Sequence, residues 1–199
     1  MPAAAWFQEV LESELQPWLK LSEEQISQLY THYQFLERWN DKMNLTSLEP
    51  GPELVIRHYC ESLFLGAQLA IGGRVADIGS GAGFPGVPVA VLHPQSTVGL
   101  IESVQRKAVF LREATRHLAN VDVLASRAEV VDAQFDWVIS RAVNPKDVWQ
   151  NIPRLAPRIG ILIGESGLKE LESASRIAWS EPVRLPWGDR RFLVSGSST

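Results

Sequence analysis

The chain has 199 residues, 45% of them hydrophobic and 21% charged, with a formal net charge of -4. This is the composition of an ordinary globular protein, one domain with a flanking element, long enough to bury a core without covalent staples. Its single cysteine, Cys60, excludes an intrachain disulfide, no apolar run approaches the roughly 18 residues of a membrane span, and the negative charge argues against a general polyanion binder.

The start of the chain is acidic and lacks the basic leader of a signal peptide, which predicts a cytoplasmic protein with no membrane contact. Residues 1–70 hold four Lys/Arg against ten Asp/Glu, whereas residues 71–199 hold fifteen against thirteen. Any nucleic-acid contact therefore needs a local basic patch.

The first 70 residues read as a helical extension. Ser22 and Gln25 have the spacing of a capping box, and Ile26, Leu29, Tyr33 and Leu36 then recur at helical intervals. "LEPGP" (48–52) interrupts the chain, "ELVIRHYCESLFLGAQL" (53–69) resumes as helix, and "IGG" (71–73) ends it. From residue 71 onward the pattern changes. Short apolar runs at 74–79, 97–103, 122–126, 135–142 and 160–166 read as strands, with helical stretches at 86–92 and 104–120. Alternating strands and helices predict an α/β fold with a mostly parallel sheet. "EPVRLPW" (181–187) and "RRFLVSG" (190–196), joined at "GD", predict a C-terminal hairpin and an antiparallel edge. The division is thus a helical extension, 1–70, and an α/β domain, 71–199.

The densest signal is "DIGSGAGFPG" (77–86), directly after the first strand. In open α/β sheets ligands sit at the carboxyl ends of the strands. A P-loop would require Lys after Gly86, where Val87 stands. A dinucleotide fingerprint fits Gly81, Gly83 and Gly86 literally, with Glu102 about 20 residues on for a ribose. Pro85, however, removes an amide where a pyrophosphate wants donors. S-adenosylmethionine uses the same geometry without a phosphate. Glycines Gly79 and Gly81 would admit its amino-acid part, Asp77 would face its ammonium, and Glu102 would accept from both ribose hydroxyls. Ala128 and Glu129, after the third strand, would serve the adenine. A bare strand-to-helix turn is the remaining alternative, although two glycines would suffice for it.

Five segments in order then resemble one known family, the bacterial small-subunit ribosomal RNA guanine-N7 methyltransferases, also called methyltransferase G or glucose-inhibited division protein B. They are "WNDKMNLTS" (39–47) with "RHYCESL" (57–63), "DIGSGAGFPGVPVAV" (77–91), "ESVQRKAVFLRE" (102–113), "SRAE" (126–129) and "ISRAV" (139–143). Glu61 stands where the family usually has Asp, and "ILIGESG" departs from its usual fifth-strand ending. The resemblance implies a Rossmann-like class I methyltransferase with a seven-stranded sheet, acting on small-subunit RNA or the assembling 30S particle as a monomer. It also assigns Arg141 to the cofactor pocket.

Guanine N7 carries a lone pair in the ring plane, so no proton need be removed before attack. We therefore expect catalysis by positioning, with no catalytic side chain and no metal. "SRAVNP" (140–145) differs from the Asn/Asp-Pro-Pro-aromatic loop of exocyclic-amine methylation, and Cys60 lies far from the loop for a cysteine nucleophile. Phe84 is expected to pack on the cofactor, and Arg127 and Arg191 to meet RNA phosphate. A nicotinamide-dependent oxidoreductase and a non-catalytic ribosome-assembly module are the alternatives from other classes.

Overall fold

The computed structural model describes residues 3–141, 152–171 and 176–198. Helices α1 (Ala5–Leu15) and α2 (Glu23–Met43) form first. The capping box is present: Ser22 Oγ accepts from the Gln25 amide at 3.2 Å, and the Gln25 side chain accepts the Ser22 amide at 2.9 Å. Gln25 Nε2 also donates to the Val91 carbonyl at 3.1 Å, so the same side chain pins α2 to the sheet domain. Asn44, left-handed at φ 48°, stops α2.

The sequence predicts one helix over 53–69. The structure has α3 (Pro52–Leu54), a π-helical turn (Val55–Cys60) and α4 (Glu61–Gln68) in succession. The wider turn closes with the Glu61 amide on the Ile56 carbonyl, and it buries Val55, Tyr59 and Cys60. Apolar periodicity does not distinguish this from an α-helix, because one extra residue per turn only rotates the face.

The parallel strands are β1 (Arg74–Ile78), β2 (Thr97–Ile101), β3 (Val121–Leu124), β4 (Trp137–Arg141) and β5 (Arg158–Gly164). Helices α5 (Gly86–Leu92) and α6 (Gln105–Ala114) cross between the first three. After them come β6 (Ile177–Trp179), β7 (Val183–Arg184) and β8 (Arg191–Ser198). The order is β3-β2-β1-β4-β5-β8-β6, with β7 also on β8. β8 runs antiparallel to β5, while β6 and β7 pair with successive parts of its other edge. The seven expected positions are therefore filled, with the edge strand in two pieces. Pro182 lies in the gap and has no amide to give the ladder. Beside it Ser180 Oγ accepts the Ser195 amide at 3.2 Å.

Two apolar clusters flank the sheet. One joins Phe7, Leu11, Leu29 and Leu36 of the first helices to Tyr59, Phe84, Val75, Leu100 and Leu193. The other holds Ala76, Val138, Ile152, Ile159 and Val194. The chain-order boundary near residue 70 is thus crossed by a shared core. Among the described residues no helix is long and apolar enough to cross a membrane.

Candidate active site

The carboxyl ends of β3, β2, β1 and β4 form one edge, and the expected cofactor residues meet along it. Asp77 lies in β1, and Gly79 and Gly81 lie just past its end. Glu102 follows β2, Ala128 and Glu129 lie in the 3-10 turn after β3, and Arg141 ends β4.

The glycine loop follows from its backbone requirements. Gly79, Gly81 and Gly83 have φ of 71°, 57° and 93°, where side-chain-bearing residues are strained. They differ in purpose. A Cβ on Gly83 would stand 2.7 Å from Val87, and one on Gly86 would stand 2.6 Å from Asp77 Oδ2, so these two glycines serve packing. A Cβ on Gly81 would meet only the Gly79 carbonyl, at 3.8 Å, so this position faces open space.

Most amides of the loop are already spoken for. Gly79 and Ser80 donate to the Ile101 carbonyl, Gly83 and Phe84 to the Ser80 carbonyl, and Val87 to the Gly83 carbonyl. Gly81 donates to Glu102 Oε2 at 2.9 Å and Gly86 to Asp77 Oδ2 at 3.0 Å. Pro85 and Pro88 have none to offer. A phosphate-binding loop presents free amides at a helix start; this one does not.

What it presents instead is anionic. Asp77 is fully buried, and its Oδ1 has no hydrogen-bond partner. Burial pushes its carboxyl up to about 7, opposed by the Ser80 hydroxyl and the Gly86 amide and helped by the nearby Glu102. Glu102 is 5% exposed and is fixed by two amides, Gly81 on Oε2 and Val104 on Oε1 at 2.7 Å. Each carboxylate oxygen keeps a second lone pair, so Glu102 can stay anchored and still accept from two neighbouring hydroxyls. A buried unpaired carboxylate oxygen beside a second carboxylate suits an ammonium and a ribose, not a pyrophosphate. These residues therefore fit S-adenosylmethionine, with Asp77 toward its amino-acid end and Glu102 toward its ribose.

Other expected residues fall less simply. The Phe84 ring is buried, stacked on His58 with centroids 4.7 Å apart and edge-on to Tyr59 and His32. Its packing partners are thus core aromatics. Glu129 and Arg127 are exposed and Ala128 is buried. Arg141 makes no ion pair with Asp77 or Glu129; its charged neighbours are Glu61, Arg191 and Arg57. Burial and the two guanidiniums draw it down to about 10, against the pull of Glu61, so it stays cationic at neutral pH. Arg191 opens β8 and its Nη2 bonds Glu61 Oε2. Residues 142–151 of the "SRAVNP" segment and beyond lie outside the described residues.

Several contributors carry no role in the sequence reading. Arg154 donates to the carbonyls of Ala128 and Val131, at 2.7 and 2.5 Å, and so fixes the turn after β3. His32, fully buried, bridges Tyr59 Oη at 2.8 Å and the Ala82 carbonyl at 3.0 Å, linking α2 to the glycine loop. Burial holds it neutral, with its pKa lowered to about 3. Asn40, Thr46 and His58 form a chain: Thr46 N to Asn40 Oδ1 at 2.8 Å, and Thr46 Oγ1 to His58 Nε2 at 2.7 Å. The signal for this chain was present, since "WNDKMNLTS" and "RHYCESL" are the two N-terminal segments of the family resemblance.

Strand order, the spent glycine loop and the two strand-end carboxylates together define a class I methyltransferase that uses S-adenosylmethionine. The model of the family described as rRNA small subunit methyltransferase G matches residues 25–180. A protein named ribosomal RNA small subunit methyltransferase G from Geotalea uraniireducens is 33% identical over 195 residues, covering 88% of this chain and 89% of that protein. One of the same name from Roseiflexus castenholzii is 43% identical over 200 residues, covering 88% and 84%. This chain belongs to that family. Solved structures agree on the fold: a SAM dependent methyltransferase from Aquifex aeolicus has a TM-score of 0.60 at 20% identity, covering 75% of this chain and 94% of its own. Fibrillarin from Aeropyrum pernix, solved with natively bound S-adenosyl-L-methionine, has a TM-score of 0.54 at 14% identity, covering 69% and 73%.

Proposed function

We propose that this protein transfers a methyl group from S-adenosylmethionine to N7 of a guanine in 16S ribosomal RNA, acting as a cytoplasmic monomer. The observation that carries the cofactor half of this reading is Asp77 Oδ1, a buried acceptor without a partner beneath a loop most of whose amides are already bonded. The acceptor half rests on membership of the family. The cofactor supplies an electrophilic methyl group on a sulfonium.

The residues act by holding and excluding. Asp77 fixes the ammonium, Glu102 the ribose, and the Ala128–Glu129 turn the adenine end; open space at Gly81 lets the backbone come close. Arg141 borders the pocket at the end of β4. Phe84 contributes through its ring stack, which holds the loop's shape. N7 needs no general base, and Cys60 is no candidate nucleophile: it is fully buried, and burial pushes its thiol well above the ordinary range. Holding donor and acceptor in line is then the main source of rate.

Arg127 lies at the β3 end of the edge and Arg191 at the β8 end. Five strand spacings separate β3 from β8, about 24 Å at ~4.8 Å each. The two arginines therefore meet different phosphates, several nucleotides apart, on either side of the target base. The test is transfer of labelled methyl to small subunits from cells lacking this modification, with the modified nucleoside mapped. N7-methylguanosine in the small-subunit RNA is expected; no label, or label on another atom, overturns the reading. Calorimetry with S-adenosylmethionine and with NADH separates the cofactor half, and only the former is expected to bind.

A further inference from the structure

Four buried side-chain atoms without a hydrogen-bond partner fall in one cluster beside the cofactor residues: His58 Nδ1, Glu61 Oε1, Arg141 Nη1 and Arg191 Nε. Folded interiors leave few such atoms, and unpaired charged ones are the costliest. The cluster is also unbalanced in charge. Glu61, with a fully buried side chain, is bonded by Arg191 Nη2 and has Arg57 Nε at 3.7 Å from Oε1. Arg141 acts on it from the end of β4. Among the described residues, three guanidiniums thus face one carboxylate. His58 adds no charge, because burial and those same guanidiniums lower its pKa to about 3.

A structural ion pair would need one arginine. Here a surplus of two positive charges is held in place, half out of water, with N–H groups to spare. Arg191 uses Nη2 on Glu61 and leaves Nε free, the donor that completes a two-pronged grip on an oxyanion. The location adds the direction. Arg191 pairs with Gly164 at the end of β5, and Arg141 ends β4, so both lie on the β4–β5–β8 side of the edge. Asp77 and Glu102 belong to β1 and β2. The His58 ring, stacked on Phe84, joins the cluster to the glycine loop.

We propose that Arg57 and Arg191, held around Glu61 beside Arg141 of the cofactor pocket, form an oxyanion subsite on the acceptor side of the cleft that grips a backbone phosphate of the RNA next to the target guanine. Glu61 is its resident counter-ion, keeping the guanidiniums oriented before RNA arrives. The inference rests on the proposed RNA acceptor. The carboxylate of the cofactor has the same chemistry, and the experiment separates the two.

The variants are Arg191→Lys, which keeps the charge and a bond to Glu61 but has no second prong, with Arg191→Gln and Arg57→Gln beside it. Affinity for S-adenosylmethionine is measured by calorimetry, and kcat and KM for small subunits by labelled transfer across a salt series. For Arg191→Lys we expect cofactor Kd within twofold of wild type and KM for subunits raised tenfold or more. Each Gln variant should also lower the salt slope of subunit binding by about one. Weaker cofactor binding with an unchanged subunit KM would assign the cluster to the cofactor carboxylate and overturn the proposal. Unchanged values for both would make it a structural ion pair. Should Arg191→Gln fail to fold, Arg191→Lys carries the test, with its thermal transition checked against wild type. If the wild type itself fails to label subunits, the RNA reading falls and the subsite with it; if it labels and Arg191→Lys keeps the wild-type KM, the subsite alone falls.

Discussion

Replacing Asp77 by Asn should stabilise the cofactor-free protein near neutral pH while weakening cofactor binding. In the fold the carboxyl is fully buried, with one oxygen on the Gly86 amide at 3.0 Å and the other unpartnered. Its pKa rises from 3.8 to about 7. Between those values the unfolded chain has released the proton and the folded chain has kept it. Stability therefore falls as pH rises through this window, by about 1.4 kcal/mol per pH unit, and about 4 kcal/mol in all. Asn keeps an acceptor for the Gly86 amide but has no proton to lose. The expected stability gain of Asp77→Asn is near zero at pH 4 and a few kcal/mol at pH 8. His32 and His58, both held near 3 by burial, act in the opposite direction over an overlapping range, so the quantity to measure is the difference between variant and wild type. Urea unfolding at pH 4, 6 and 8 supplies it. In the wild type the cofactor's ammonium should draw the proton from Asp77, so affinity should rise from pH 5 to 7 and then level. Calorimetry in two buffers of different ionisation enthalpy would show the released proton. A stability difference that is the same at all three pH values, or an affinity flat from pH 5 to 8, would refute the assignment.

The glycines of the loop should separate by mutation. Gly81→Ala should cost about 1–2 kcal/mol of stability for its left-handed backbone and sharply weaken the cofactor, since its Cβ enters otherwise open space. Gly86→Ala should instead destabilise the fold itself, by about 1–3 kcal/mol or more, because its Cβ meets Leu100 at 2.3 Å and Asp77 at 2.6 Å; chemical unfolding of both variants checks the contrast. Glu102→Ala should weaken cofactor binding by about 1–3 kcal/mol in calorimetry, through the lost ribose contact and two orphaned amides. His32→Gln should flatten the acid limb of stability. The folded pKa of His32 lies near 3 and the unfolded one near 6.5, so wild-type stability drops as pH falls through that range, which a pH series of thermal transitions would register. Arg127→Ala should lower the salt slope of subunit binding by about one and leave cofactor affinity unchanged.

Much of this architecture can be read from the residues because it is local. The Ser22 cap, the apolar stripe of α2, the short strand runs and the glycine loop each depend on neighbours in sequence. Pairing across the chain is harder to see. Phe84 could be placed on a loop but not in its ring stack, because His32, His58 and Tyr59 reach it from other segments. Glu61 and Arg191 lie 130 residues apart, and nothing in either neighbourhood announces the other. The π-helical turn is invisible for a different reason: its apolar residues satisfy an ordinary helix equally well. It is also where Arg57 and His58 sit, so the least legible stretch of helix carries part of the site. The strand-end carboxylates Asp77 and Glu102 can be placed from the residues because their position follows from topology, whereas the cluster around Glu61 depends on tertiary contact.

The glycine loop, with most of its amides already bonded, also bears on selectivity in a crowded cell. Free nucleotides and dinucleotides share the adenosine half of S-adenosylmethionine, and a loop of unused amides would take them by their phosphates. Here they would find the adenosine contacts but few free amides for the phosphate, and the carboxylate of Glu102 would repel it. Discrimination against the cell's most common adenosine compounds would thus come from hydrogen bonds already made within the protein. An inhibitor of this enzyme would do well to carry a positive charge, not a negative one, at its 5′ end.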